Sequence, residues 1–142
     1  MMVEFIYGLL ESIGFAHPLH PAVTHVPMGL VMGAVIFRMG AVLSPMKHLA
    51  ISGYHCAVVG LLGVPPTAIV GWMDWQYRYG GQWEFLIGLK MILALTLLVI
   101  LTLIVVLDDP ENPKADLRSL LYFMALLNAI GLGFSGGELI YG

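Results

Sequence analysis

The segment FLIGLKMILALTLLVILTLIVVL, residues 85–107, decides the fold class of this chain of 142 residues. All of its residues are apolar or glycine except Lys90 and two threonines. Because an α-helix rises about 1.5 Å per residue, a run of this length crosses the roughly 30 Å hydrocarbon core of a bilayer. The segment therefore predicts a membrane-spanning helix.

Three further apolar runs flank this segment, at residues 25–43, 47–73 and 117–135. The connections between them are short and polar or proline-containing, so neighbouring helices must run antiparallel. Residues 2–14 are too short to span but carry Glu4 and Glu11 on one face of an otherwise apolar helix, which is typical of an interfacial segment. The predicted fold is all-α: an integral membrane up-down four-helix bundle with a short N-terminal amphipathic interfacial helix, forming a single membrane domain over residues 1–142.

The composition excludes several classes of protein. Hydrophobic residues make up 59% of the chain and charged residues 11%, whereas globular domains carry about 25% charged residues. A net charge of −3 without a basic run excludes nucleic acid as a partner, since phosphate binding needs clustered lysine and arginine. Cys56 is the single cysteine, so there is no internal disulfide and no Cys-x-x-Cys motif. No hydrolase motif or phosphate-binding loop is present, which leaves open whether the protein is an enzyme.

The distribution of basic residues predicts the orientation of the bundle. Arg78 is the one basic residue in the loops of one side, whereas the other side has Arg38, Lys47, Lys114 and Arg118. Because lysine and arginine concentrate on the cytoplasmic side, we expect a multi-pass protein of the bacterial cytoplasmic (inner) membrane. The histidine-rich segment before residue 25 and the C-terminus then lie on the periplasmic side.

The segment HPLHPAVTHVP, residues 17–27, holds His17, His20 and His25. Proline is tolerated in the first turn of a helix, so the sequence predicts that the first span begins at His25 with Thr24 as its N-cap. The preceding prolines favour an extended approach for His17 and His20. Since the positive end of a helix disfavours a protonated imidazole, these side chains keep a lone pair for a metal.

Acidic residues are expected at the same end of the bundle. Asp74 ends the second span and Glu138 follows the fourth, while Lys90 lies roughly 8 Å inside the third. Mixed imidazole and carboxylate ligands suit zinc, copper or iron. The sequence therefore predicts a metal site from His20, His25, Asp74 and Glu138, in which the carboxylates act as ligands or orient the imidazoles.

Haem is the second ligand that this pattern favours. His55 enters the second span from the opposite side, so its depth differs from that of His25 by roughly 15 Å and one haem cannot bind both. An outer haem would instead pair His25 with His20 or His17. His55 would pair with Met124 at a matching depth, or would be a core histidine.

Three segments carry a family resemblance: HPLHPAVTHVPMGL at residues 17–30, PTAIVGWMDWQ at residues 66–76, and GFSGGELIYG at residues 133–142. In this order they resemble the predicted four-helix bacterial membrane proteins grouped as an uncharacterised family in the domain-of-unknown-function series. The resemblance implies a four-span protein, fused in some relatives to a Rieske iron-sulfur domain and suspected of carrying haem. Many relatives have a histidine early in the third span, where this chain has Lys90. The positions that match the pattern are His20, His25, Asp74, Gly136, Gly137 and Glu138.

The functional hypothesis is an integral membrane redox protein for electron transfer that binds b-type haem near its outer face. Its alternatives are a protein that binds a divalent zinc, copper or iron ion at the outer histidine and carboxylate cluster, and a non-catalytic membrane subunit. The expected partners are the lipid bilayer and a membrane quinone or another redox protein. Assembly into homo- or hetero-oligomers is compatible with each hypothesis.

Overall fold

A computed structural model describes residues 2–44 and 46–141, with side chains up to residue 139. The described chain is all-helical, without a strand, and its five helices are α1 (Met2–Ser12), α2 (His20–Leu43), α3 (His48–Arg78), α4 (Phe85–Leu107) and α5 (Leu117–Tyr141). Each of the four long helices is apolar enough to cross a membrane. The predicted four-helix membrane bundle is therefore confirmed.

The four long helices form a closed ring. Each packs against its neighbour in the chain, α2 also packs against α5, and α1 packs on α3. The backbones of α2 and α3 approach each other closely at Gly53, where a Cβ would lie 3.0 Å from the Ala34 carbonyl oxygen. Small residues allow this approach of two backbones in a membrane. The outer helix faces expose large apolar side chains such as Phe85, Leu95 and Val106, which supports contact with lipid.

The start of α2 differs from the prediction. The helix begins at His20 rather than His25, and Thr24 is not its N-cap, because the Thr24 hydroxyl donates to the Pro21 carbonyl at 2.8 Å. Asp74 takes the capping role: its carboxylate accepts hydrogen bonds from the backbone N–H of Leu19 at 3.2 Å and of His20 at 2.7 Å. A remote cap thus lengthens α2 by more than one turn.

The other helix ends also differ from the predicted boundaries. α3 continues past residue 73 to Arg78 because its last turn packs on α1, and it stops before Gly80, whose φ of 59° is left-handed. α5 continues past residue 135 to Tyr141, since Gly136 and Gly137 are helical. α1 ends at Ser12 rather than at residue 14, where Gly14 has a φ of 86°.

The predicted cytoplasmic end of the bundle is closed by a buried ion pair. Arg38 on α2 is 0% exposed and donates to Asp108 at 2.9 Å and to the Ser119 hydroxyl at 3.0 Å. Tyr122 donates to the second oxygen of Asp108 at 2.8 Å, and its ring faces the guanidinium. These contacts join α2, α5 and the end of α4. Arg38 therefore has a structural role in addition to its value as an orientation signal.

Candidate functional site

Asp74 is the centre of the polar residues at the end of the bundle that holds α1 and the first turn of α2, which we call the outer end after the orientation that the sequence predicts. It lies on α3 and is 5% exposed. One carboxylate oxygen accepts from the Tyr7 hydroxyl and the Leu19 N–H, and the other accepts from the His20 N–H. A carboxylate at a helix N-terminus is stabilised by the helix dipole. Both oxygens of Asp74 are thus engaged in fixing α1 and α2.

Tyr7 fixes α1 over this carboxylate. Its side chain is 1% exposed and stacks on Tyr77 with ring centroids 4.3 Å apart, while the Arg78 guanidinium lies 5.7 Å from its ring centroid. Burial, together with the hydrogen bond to Asp74, raises the pKa of Tyr7 far above its ordinary value. The phenol therefore remains a neutral donor, and α1 covers Asp74.

His20 is held against the backbone of α3. Its Nδ1 lies 3.1 Å from the Thr67 carbonyl oxygen. A carbonyl can only accept, so Nδ1 carries the hydrogen and Nε2 keeps its lone pair. A Cβ on Gly71 would lie 2.7 Å from Nδ1, so the imidazole occupies the space that a side chain would need. Gly71 thus allows the orientation of His20.

His25 has the same tautomer in a different environment. Its Nδ1 donates to the Pro21 carbonyl at 2.5 Å, which leaves Nε2 with a lone pair, and the side chain is exposed. Five residues of α-helix separate His25 from His20, which rotates one by about 140° from the other around the axis of α2. The two Nε2 atoms therefore cannot lie on opposite faces of one haem.

The remaining predicted ligands are dispersed. The side chains of His17, Glu138 and His55 are all exposed, as is that of Met124, so the interpretation of His55 as a core histidine is wrong. In residues 2–44 and 46–141 no group of three or more histidine, cysteine or acidic residues is arranged to hold a metal. The structure brings together His20 and Asp74, through the His20 backbone N–H, but does not add Glu138 or His25 to them. The metal and haem sites stay predictions that rest on single histidines.

The comparisons with known proteins identify the family of the chain. A family model described as "Predicted membrane protein (DUF2231)" matches residues 16–142. The chain belongs to this family. The resemblance found in the sequence is thereby confirmed. No curated protein and no solved structure matches the chain.

The region matched by the DUF2231 model contains every predicted ligand but not α1. The contact of Tyr7 with Asp74 therefore joins a helix outside the matched region to a residue inside it. The sequence does not predict this contact, because an amphipathic pattern indicates a helix but does not name the residue that it packs against. The one available signal was the aromatic residue at position 7, midway between Glu4 and Glu11.

Lys90 is a further polar residue inside this DUF2231 bundle. It lies on α4, is partly buried, and interacts electrostatically with Asp74 and His20. It has no hydrogen bond or ion pair to another residue in the described part of the chain. A Cβ on Gly136 of α5 would lie 3.7 Å from its Nζ. The ammonium therefore lies close to the backbone of α5.

Two surface cavities in the described structure are separate from the histidines. One, of about 370 Å³, lies between α1 and α3 and is lined by Val3, Glu4, Trp72, Gln76 and Tyr77. The other, of about 210 Å³, is lined by Trp83, Phe85, Gly88, Leu89 and Ile92. Neither cavity is lined by a predicted ligand. A flat cofactor bound by these histidines would have to lie elsewhere on the bundle.

Proposed function

We propose that this DUF2231 protein is an integral membrane electron-transfer protein in which His25 supplies an axial ligand to b-type haem. The hydrogen bond from His25 Nδ1 to the Pro21 carbonyl carries the proposal. A backbone carbonyl on the second ring nitrogen fixes the orientation of an imidazole and increases the basicity of Nε2, as it does for metal-ligating histidines. The exposure of the side chain leaves Nε2 accessible.

The position of His25 determines how a haem would fit. His25 would be the one ligand that α2 supplies to such a haem, because His20 lies about 140° away around the axis of this helix. The haem would then lie on the exposed face of α2, and another copy of the chain or another redox protein would supply its second ligand. Gly29 lies one turn further along α2, and a Cβ there would meet no atom within 4 Å. The exposed side chains of Val26 and Met32 provide apolar surface for the macrocycle.

The contribution of each partner can be separated. Bound haem would supply a carrier for one electron at a time. The protein would fix the imidazole, exclude water with apolar side chains, and place the group at the outer end of a membrane bundle. The cluster of Arg38, Lys114 and Arg118 at the opposite end supports a cytoplasmic-membrane location with His25 on the periplasmic side.

The decisive experiment is a redox difference spectrum of the full chain, purified from cells grown with ample haem. We expect a Soret band and b-type bands in the wild-type protein, and their loss in His25→Asn. Asparagine can still donate to the Pro21 carbonyl but has no counterpart of Nε2, so the variant isolates ligation from folding. His48→Asn is the matched control, because His48 is also an exposed histidine, at the start of α3, and is not a predicted ligand. Colourless wild-type protein, or equal loss in both variants, would refute the proposal.

Elemental analysis of the same preparations tests the metal alternative. The lone pair on Nε2 of His20 favours it as a second candidate, since its Nδ1 is also held by a carbonyl. Near-stoichiometric zinc, copper or iron without haem, lost in His20→Asn, would support a metal-binding function. If neither haem nor metal is found while the variants remain folded, the non-catalytic subunit is the better interpretation.

A further inference from the structure

We propose that the outer end of the bundle binds the head group of a membrane quinol, with Lys90 and His20 as its two polar contacts. This inference rests on the proposed electron-transfer function, in which the quinol is the reductant dissolved in the bilayer. It concerns a different position from the haem ligand: His25 is exposed on α2, whereas Lys90 and His20 are both partly buried.

Lys90 needs a partner that the described residues do not supply. A charged group inside a membrane is costly unless it is paired. Arg38, which is fully buried, has contacts with Asp108, Ser119 and the Lys114 carbonyl, but the partly buried Lys90 has no comparable contact within the described residues. Asp74 attracts Lys90 electrostatically but forms no hydrogen bond or ion pair with it among the described residues, and its oxygens accept from Tyr7, Leu19 and His20 instead. An oxygen acceptor on a ligand would satisfy the ammonium.

His20 adds the complementary requirement. Its Nδ1–H is bound to the Thr67 carbonyl, so Nε2 is an acceptor and needs a donor. A ligand that suits both residues must carry one oxygen that accepts and one hydroxyl that donates. A quinol meets this requirement, because one hydroxyl donates to Nε2 while the other oxygen accepts from Lys90. A phospholipid phosphate offers acceptors alone and would leave Nε2 unsatisfied.

Two glycines of α5 leave the helix backbone uncovered by side chains beside Lys90. A Cβ on Gly136 would meet no described atom within 4 Å other than Lys90 Nζ, and a Cβ on Gly137 would meet none. Small residues let an aromatic ring approach a helix backbone closely. Phe134, one turn earlier on α5, is exposed and gives the approach from the bilayer an apolar surface.

Quenching of tryptophan fluorescence by decyl-ubiquinol, measured with the full chain in phospholipid nanodiscs, tests the site. A hydrogen bond to a charged group contributes enough that its loss weakens binding about tenfold or more. We expect quinol binding to weaken by this amount in Lys90→Gln and by less in His20→Asn, whose amide still donates to the Thr67 carbonyl. Lys90→Arg retains a cation and is expected to retain most of the binding. Lys47→Gln, an exposed lysine at the other end, is the matched control.

The outcomes separate this inference from the proposed function. Wild-type affinity in Lys90→Gln, or an equal loss in Lys47→Gln, would overturn the quinol site. Competition by oleate or by added anionic phospholipid at concentrations that displace the quinol, with no preference for the quinol, would also overturn it. Haem content, measured on the same samples, reports on His25 independently. Binding that depends on Lys90 in a protein without haem would support the site and refute the haem.

Discussion

Tyr7 donates a hydrogen bond to Asp74, and this contact joins three helices. The phenol belongs to α1, the carboxylate belongs to α3, and the same carboxylate accepts the first N–H groups of α2. The polar residues at the outer end are therefore positioned by one buried acid. Loss of that acid is expected to affect the helix that carries both candidate histidines.

Asp74→Asn is expected to destabilise the first turn of α2. An amide has one acceptor oxygen, so it cannot serve Tyr7, Leu19 and His20 together, and the charge that favours a helix N-terminus is lost. Loss of a helix cap costs about 0.5–2 kcal/mol. Hydrogen exchange should accelerate in residues 19–24 while residues 31–41 stay protected. The control is Tyr77→Phe, which removes an exposed hydrogen bond to Glu11 and should leave the hydrogen exchange of residues 19–24 unchanged. If residues 19–24 stay protected from exchange in Asp74→Asn, Asp74 does not cap α2.

The fold could be predicted from the sequence because its main signal is local. The length and composition of an apolar run such as residues 85–107 predict both the length of the helix and its membrane environment, and α4 has the predicted bounds. The start of α2 could not be predicted, because its cap is Asp74, remote in sequence. The antiparallel argument correctly placed His20 and Asp74 at one end. It does not say whether Glu138 and His25 contact them, because equal depth in a bundle does not determine which way a side chain faces.

Ionisation of Tyr7 is expected to reduce the stability of the folded protein at alkaline pH. Burial and the Asp74 hydrogen bond raise its folded-state pKa above the unfolded value of about 10. The contribution of the Tyr7 phenol to the free energy of unfolding is therefore fully present below about pH 10. It is lost as the pH rises from there toward the folded-state pKa, because the phenol ionises first in the unfolded chain. We expect the free energy of unfolding to fall between about pH 10 and pH 12 more steeply in the wild type than in Tyr7→Phe.

The measurement is thermal unfolding in detergent across that range, with the difference between the two proteins as the readout. Taking the difference cancels the titration of the other tyrosines and lysines. Parallel curves for wild type and Tyr7→Phe would show that the phenol does not titrate on unfolding.

Gly71→Ala is expected to displace His20. The new Cβ would lie 2.7 Å from Nδ1 of the imidazole, so either the ring or the helix must move, at a cost of about 1–3 kcal/mol. The hydrogen bond to the Thr67 carbonyl would be lost, and with it the orientation of Nε2. Thermal unfolding and the quinol affinity should both decrease. Gly29→Ala is the control, since its Cβ has open space; unchanged quinol affinity in Gly71→Ala would show that the orientation of His20 is unimportant.

Arg38→Met is expected to be the most destabilising of these substitutions. It leaves Asp108 as a buried carboxylate without its cation, which costs about 3–5 kcal/mol. Arg118→Gln is the comparison, because its pair with Asp116 is partly exposed and is expected to contribute less than about 1 kcal/mol. Removing both members in Arg38→Met with Asp108→Leu should recover part of the loss, since no unpaired charge then remains. Equal melting temperatures for Arg38→Met and Arg118→Gln would contradict a structural role of the buried pair. A large difference would show that the predicted cytoplasmic end of the bundle is stabilised by the contact between α2 and the segment that joins α4 to α5.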